Sequence, residues 1–426
     1  MIARTHTRSL VRFAMLAVPK VVKLLTVLLV DALIARHLGT DGFGLFSLLL
    51  AVFMFLASLV KFGLDNVLVR DTVLGKLNPE RVAQVWAVRI CAAILGQAAF
   101  IVLAMNIPMF REHLPYLLIV SFGLLALGFS IFEPQMQGDE RFGLLAIAQT
   151  LVILAGAAAK LFFLVYDPQV ELFWLSLAIE AIISATITAA YLWYSRRLPR
   201  AMHFRGVFLS AVRGYATEGL PYLLGGLSVI AFMRLDQFML AAMSGTSSVG
   251  AYSAALRISE AFFALATLAS SVIFPTLMRM KTRADSAYEV GFIQALRVSM
   301  VVALVISILL TIFSRPIVTL IYGADYEASV LLLALHAWVM LPAFWGVITH
   351  RWLVAEHLGK HDFYRNLIGL AANVIGNLAL IPLYGAAGAC GATILAQSVA
   401  YIGVNAIFPR LRPLLNLQRR AIFPIG

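Results

Sequence analysis

Charge is what this sequence has least of. Only 13% of its 426 residues are Asp, Glu, Lys or Arg, 62% are hydrophobic, and the mean hydropathy is +0.91. Soluble domains run at about 25% charged, and a globular core cannot hide apolar surface on this scale, so lipid must be the solvent for most of the chain. Cysteine is nearly absent as well. Cys91 and Cys390 both lie inside apolar runs, which argues against a disulfide framework or a thiolate metal site. There is no Walker-type glycine loop and no metal-spaced His/Cys cluster, so the sequence calls for no cofactor and no ATP. Long polar connections are missing too: none exceeds about twenty residues, which leaves no room for a soluble catalytic domain. The chain reads as a non-enzyme.

What is present is a series of about twelve long apolar runs. They lie near 11–38, 43–64, 83–105, 114–134, 142–166, 172–194, 214–243, 250–277, 292–314, 328–354, 363–383 and 388–409. Each can cross a hydrocarbon core of roughly 30 Å at 1.5 Å per residue. The first is too long, and too charged at Lys20 and Lys23, to be a cleaved signal, and is read as retained. The net charge of +12 sits mostly at run ends, so it reports membrane orientation rather than nucleic-acid binding. Counted by side, 21 Lys and Arg fall on the termini and even-numbered connections, against Arg36, Arg111 and Arg315 on the odd ones. Positive-inside bias of this size places both termini in the cytoplasm. The expected fold is an all-α integral membrane protein of about 12 transmembrane helices in two six-helix lobes. Its expected division is 1–195 as N-lobe, 196–213 as basic cytoplasmic linker with an amphipathic, lipid-touching character, and 214–426 as C-lobe with a short basic tail.

A repeat supports that division. Asp31-Ala-Leu-Ile-Ala-Arg-His-Leu-Gly39 and the following Gly44-Leu-Phe46-Ser47 match Asp236-Gln-Phe-Met-Leu-Ala-Ala-Met-Ser-Gly245 and Gly250-Ala-Tyr252-Ser253. Each copy is an apolar helix end with an acid about two turns before a glycine turn, where positive φ or close backbone approach is required. A second echo pairs Gln137-Gly138 through Phe142 with Leu358-Gly359 through Phe363. Both run in the same direction and six is even, so the lobes should be related by a pseudo-two-fold axis along the membrane normal.

Ionisable residues inside the apolar runs are the functional candidates, because each is costly in lipid. Lys20, Lys23 and Asp31 share an arc of about 80° on the first span, next to Pro19. Lys160 and Glu180 lie in the fifth and sixth spans, Glu180 on a polar stripe with Ser176, Ser184 and Tyr191. Arg234 and Asp236 lie in the outer half of the seventh, above Pro221, Gly225 and Gly226 as hinge candidates, and Arg257 and Glu260 in the eighth. The bland alternative is that acids and bases neutralise one another, Arg257 with Glu260 at i,i+3 for instance. Lys61, Arg89, Arg297 and Arg351 sit near run ends and are expected to snorkel. His336, His350, Asn373 and Asn377 read as packing and interhelical hydrogen-bonding residues.

The doubled acid–glycine turn, Gly63-Leu-Asp65, Arg234-Leu-Asp236, Gly250 through Glu260, Asn373-Val-Ile-Gly-Asn377, Ile381-Pro-Leu-Tyr-Gly385 and Gly388 through Thr393 together resemble one family. It is the polysaccharide flippases of the multidrug/oligosaccharidyl-lipid/polysaccharide exporter superfamily. The resemblance implies movement of a polyprenyl-pyrophosphate-linked oligosaccharide from the cytoplasmic to the outer leaflet of a bacterial inner membrane. It implies membrane lipid and that lipid-linked oligosaccharide as partners, with no nucleic acid and a working monomer. Under that reading Lys20, Lys23, Arg234, Arg257 and Lys160 offer cations to the pyrophosphate, while Asp31, Asp236, Glu180 and Glu260 serve gating or ion coupling. Asp31 and Asp236 are expected near the outer gate, paired with bases such as Arg257 when it closes. Two alternatives stay open. A drug or cation exporter of the same superfamily would favour acids over bases in its cavity, and a polytopic polymerase or ligase would need a long outer loop.

Overall fold

In lipid, each backbone N–H and C=O must be satisfied within its own segment, which leaves the helix as the form these apolar runs can take. The computed structural model describes residues 2–199, 204–282 and 287–423, and every regular element among them is helical. In chain order these are α1 (Ile2–Lys61), α2 (Leu64–Val73), α3 (Pro79–Asn106), α4 (Pro108–Arg111), α5 (Leu114–Phe129), α6 (Phe132–Gly138), α7 (Phe142–Tyr166) and α8 (Val170–Tyr194). They continue with α9 (Phe204–Thr282), α10 (Ala287–Ile312), α11 (Ser314–Tyr322), α12 (Glu327–His336), α13 (Met340–Ala355), α14 (Gly359–Ser398), α15 (Val404–Ile407) and α16 (Arg412–Ile422).

Nine stretches among the described residues are long and apolar enough to cross a membrane, but three are far too long for one crossing. Ala17–Lys61 has 45 residues, Gly214–Phe263 has 50 and Gly359–Ile407 has 49. Straight helices of that length would reach roughly 70 Å, more than twice the hydrocarbon thickness. Each is broken once, at a glycine in the left-handed half of backbone space: Gly39 (φ 66°), Gly245 (φ 81°) and Gly385 (φ 56°). The nine stretches therefore contain twelve membrane-length segments. The glycine-rich turn expected after Asp31 and Asp236 narrows to that single residue, because helix resumes at the next one.

Four of the even-numbered connections use a different device. Gly75, Glu140, Arg196 and His357 all have positive φ just past a helix end. The residue after each donates its N–H back five positions: Lys76 to Asp71, Arg141 to Met136, Arg197 to Leu192 and Leu358 to Leu353, at 2.8–2.9 Å. These are Schellman C-caps, which satisfy carbonyls that the helix end leaves open. They also refine the second echo. Glu140 and His357 each stand two residues before the next helix, so the structural repeat runs about one helical turn out of step with the Gly138/Gly359 match.

Two compact units divide the chain. The first comprises Met1–Leu38 and Leu45–Ile230, the second Gly39–Gly44 and Ala231–Gly426. The basic linker is only partly visible: residues 200–203, Arg200 and Met202 among them, lie outside the described residues, and so does Arg283. The side chains of residues 204–213, where the amphipathic reading placed Phe204, Val207, Phe208 and Leu209, lie outside them too. Arg197 of the same linker is described and is bound inward. It makes two bonds to Asp139, at 2.6 and 3.0 Å, and the Tyr191 hydroxyl donates a third at 2.7 Å. Burial alone would raise the Asp139 carboxyl, but these bonds outweigh it and hold it below the usual carboxylate range.

Candidate functional site

In the first unit a charge cluster lies within the membrane segments. Asp31 is 2% exposed, and Lys160 of α7 donates to its Oδ1 at 3.0 Å. The Lys160 ammonium also stands 5.6 Å from the centre of the Phe46 ring, close enough for a cation–π contact. Small residues make this possible: Gly156 and Ala157 lie within about one turn of Lys160 on the same helix. A Cβ at Gly156 would fall 2.0 Å from the Glu180 Oε1, so a larger residue there would push that carboxylate aside. Lys160, Lys23 and Asp31 are the charges that act on Glu180 through space. Lys20 and Lys23 differ from Lys160. Both are exposed on the segment before Gly39, and neither makes an ion pair with a described residue.

In the second unit Asp236 is 3% exposed and is held entirely by neutral donors. Tyr252 Oη donates at 2.7 Å, Asn377 Nδ2 at 2.8 Å and Thr393 Oγ1 at 2.6 Å. Asn377 also bonds to Asn373 at 3.0 Å, the interhelical role its spacing suggested. The break at Gly385 brings both arms of α14 to the carboxylate, Asn377 from one and Thr393 from the other. Arg234 and Glu260 pair across the break at Gly245, at 3.1 Å, with a second bond at 3.3 Å. The Arg257 guanidinium lies 4.5 Å from the Phe43 ring centre, and Phe43 in turn packs on Tyr322 and Tyr326. His336 is buried and bonded to Ser259 at 2.7 Å.

Several sequence expectations need correction here. Asp31 pairs with Lys160, and the donors that reach Asp236 are the neutral Tyr252, Asn377 and Thr393. Glu260 engages Arg234 from the preceding arm, not Arg257 three residues away on its own helix. Arg89 does not snorkel: it is fully buried, bonded to the Ser130 carbonyl at 2.7 Å and to Asp65. Burial raises the Asp65 carboxyl, but Arg89 and Lys61 outweigh it and hold it low. In each case the partner lies on another helix or beyond a helix break, where periodicity along one helical segment cannot point.

The glycines of the repeat divide two tasks. Gly39 and Gly245 supply the positive φ, while Gly44 and Gly250 supply close approach. A Cβ on Gly44 would lie 1.9 Å from the Thr246 carbonyl oxygen, and one on Gly250 would lie 1.8 Å from that of Thr40. Thr40 and Ser247 hydroxyls bond at 2.9 Å beside this contact, and Thr246 donates to the Asp41 carboxylate. The two copies of the motif thus press their helix starts together backbone to backbone.

A second glycine pair, Gly63 with Gly219, lies in the first unit: a Cβ on either would meet a backbone carbonyl of the other's segment at 2.5 Å. Around it, Asp71 accepts from Arg81 at 2.7 Å and Arg70 at 3.0 Å, and Arg70 reaches Glu218 at 2.7 Å. The sequence reading missed this cluster. Its signal was available, since Asp71 falls on the same helical face as the buried Leu64, Val67 and Leu68.

Similar structures place the fold in a class. The chain superposes on the lipid II flippase MurJ in an inward closed conformation with a TM-score of 0.73, over 97% of this chain and 91% of that one, at 14% identity. It superposes on an inward-facing multidrug resistance MATE family transporter of the MOP superfamily with a TM-score of 0.67, over 96% and 99%, at 15% identity. The fold is that of this class of membrane transporters. The Probable flippase AglR of Haloferax volcanii is 24% identical over 381 residues, 87% of this chain and 77% of that one. Residues 12–281 match the polysaccharide biosynthesis protein family, and the chain belongs to it.

Proposed function

We propose that this protein is a flippase that carries a polyprenyl-pyrophosphate-linked oligosaccharide from the cytoplasmic to the outer leaflet of a bacterial inner membrane, driven by an ion gradient. The observation that carries the reading is the state of Lys20 and Lys23, two cations exposed on a membrane segment without an ion-pair partner among the described residues. An unneutralised ammonium inside a span costs several kcal/mol, so an anionic cargo is the natural reason to keep it. Family membership and the names of AglR and MurJ support the same reading. Lys20 and Lys23 receive the pyrophosphate from the cytoplasmic side. Arg234 and Arg257 take it further on, Arg234 exchanging the Glu260 carboxylate for phosphate oxygens. The two six-span halves, 1–195 and 214–426, form a working monomer that alternates access as they rock.

Coupling falls to the acids. Protonation of Asp31 removes the charge that holds Lys160, with Glu180 beside it as the alternative acceptor. Asp236 can exchange a proton or a small cation without expelling a base, because its partners are neutral.

The decisive measurement compares leaflet pools of the lipid-linked precursor in cells carrying Lys20→Gln/Lys23→Gln. The expected result is cytoplasmic precursor accumulating at least tenfold while insertion stays normal, equivalent to about 1.4 kcal/mol in the rate-limiting step. Arg234→Ala and Arg257→Ala should act in the same direction. Normal precursor distribution with lost efflux of an organic cation would replace the flippase with the exporter.

Orientation has its own test. Cysteine at Lys76 should react only with membrane-permeant thiol reagents, and cysteine at Asp167 with impermeant ones applied outside. The reverse pattern would discard cytoplasmic termini.

A further inference from the structure

The last helix carries a charge pattern that transport does not use. The final membrane segment ends at Ile407, and after one extended residue, Phe408, a 3-10 turn over Pro409–Leu411 leads directly into α16. Leu411, Leu414, Leu417 and Gln418 are buried, the leucines in one cluster with Phe292, Leu296 and Trp345. Gln418 fixes the seat: its Oε1 accepts from Asn405 at 2.9 Å and its Nε2 donates to the Tyr401 carbonyl at 2.9 Å. At the other end Arg297 donates to the carbonyls of Ala421, at 3.1 Å, and Arg420, at 2.8 Å, which the helix end leaves open. Arg420 also pairs with Glu289 at 3.2 Å.

These contacts set the depth of α16. Glu289 and Arg297 belong to the membrane-length stretch Tyr288–Ile312 and lie within roughly 13 Å of its end along the axis. A helix clamped to both residues lies in the headgroup layer, not out in bulk water. The clamped face also decides what remains. At 100° per residue Arg412, Asn416 and Arg419 fall within an arc of about 60° opposite the buried leucines. All three are exposed, as is Arg410 on the preceding turn. No acid occurs anywhere from Phe363 to the end of the chain. Ile422 and Phe423, at 52% and 63% exposed, flank the arginines with apolar surface that water would not favour.

We propose that the exposed face of α16 is a docking surface for anionic phospholipid headgroups of the adjoining leaflet. Arg410, Arg412 and Arg419 take phosphate oxygens with their guanidinium forks, and Ile422 and Phe423 enter the acyl boundary. Charge complementarity and depth together favour this occupant over a soluble acidic protein, which would have to displace the headgroups already there.

The experiment follows thermal unfolding of the full-length protein in detergent micelles containing phosphatidylglycerol or phosphatidylcholine at equal mole fraction, with inorganic phosphate as a third arm. Phosphatidylglycerol should raise the midpoint by about 3 °C or more over phosphatidylcholine. Arg410→Gln/Arg412→Gln/Arg419→Gln should lose most of that difference while keeping the wild-type midpoint in phosphatidylcholine, which shows that it folds. The corresponding triple Arg→Lys variant should retain most of it. The proposal is overturned if the glutamine variant keeps the full difference or if inorganic phosphate reproduces it.

Discussion

Gly250→Ala should slow export by about tenfold or more while the protein still inserts. The added methyl would stand 1.8 Å from the Thr40 carbonyl oxygen and 2.7 Å from its carbon. The partner is backbone within a helix, so no rotamer change can relieve the clash, and the two helix starts must separate by roughly 1.5 Å. Overpacking of this kind costs typically 1–3 kcal/mol, charged entirely to the state in which Thr40–Gly44 and Thr246–Gly250 touch. An alternating transporter needs every state of its cycle, so a penalty on one of them shifts the populations and slows turnover. Gly44→Ala should behave the same way, because its methyl meets the Thr246 carbonyl at 1.9 Å. The double variant should be little worse than either single, since one separation relieves both clashes. Gly214→Ala provides the control: nothing lies within 4 Å of that Cβ, and export should stay near wild type. Wild-type leaflet pools in Gly250→Ala would show that this approach is not part of the cycle.

Lys160→Met should be the most destabilising single change in the first unit's charge cluster. It leaves the Asp31 carboxylate 2% exposed and without the ammonium now 3.0 Å away. Stripping one partner from a buried pair costs about 3–5 kcal/mol, whereas replacing both with neutral groups of similar size is often close to neutral. Thermal unfolding in detergent should therefore fall for Lys160→Met and recover for Asp31→Asn/Lys160→Met. Export should not recover in the double variant, because the proposed coupling needs an acid that can gain and lose a proton. Recovery of both would reduce the pair to a packing device. Normal export in Asp31→Asn alone would remove Asp31 from the coupling scheme.

The missed cluster around Asp71 shows how much a sequence can hold without declaring it. An acid at a core position of a short helix is visible in the order of residues. Its partners Arg81 and Tyr215 lie ten and 144 positions away, at 2.7 and 3.4 Å in space, and nothing local connects them. Arg365 teaches the same lesson from the other side. Two residues into the 363–383 run, where a basic side chain could have reached the membrane surface, it is fully buried, with its guanidinium bonded to the Ala400 carbonyl and Thr349.

By itself the sequence determined the solvent, the helical form and the rhythm of the spans. Those properties follow from how long an apolar run is compared with a bilayer, a comparison that needs no neighbour. It also marked where the long helices break, because only glycine holds the left-handed backbone at Gly39, Gly245 and Gly385 without strain. Only the tertiary structure decided which charge meets which. Asp31 and Asp236 occupy matching places in the repeat, yet one faces an ammonium and the other three neutral donors. The reason is physical: a buried charge is settled by whatever the rotation of its helix and the packing of distant helices bring within about 3 Å, and in lipid that choice dominates because no water competes for it.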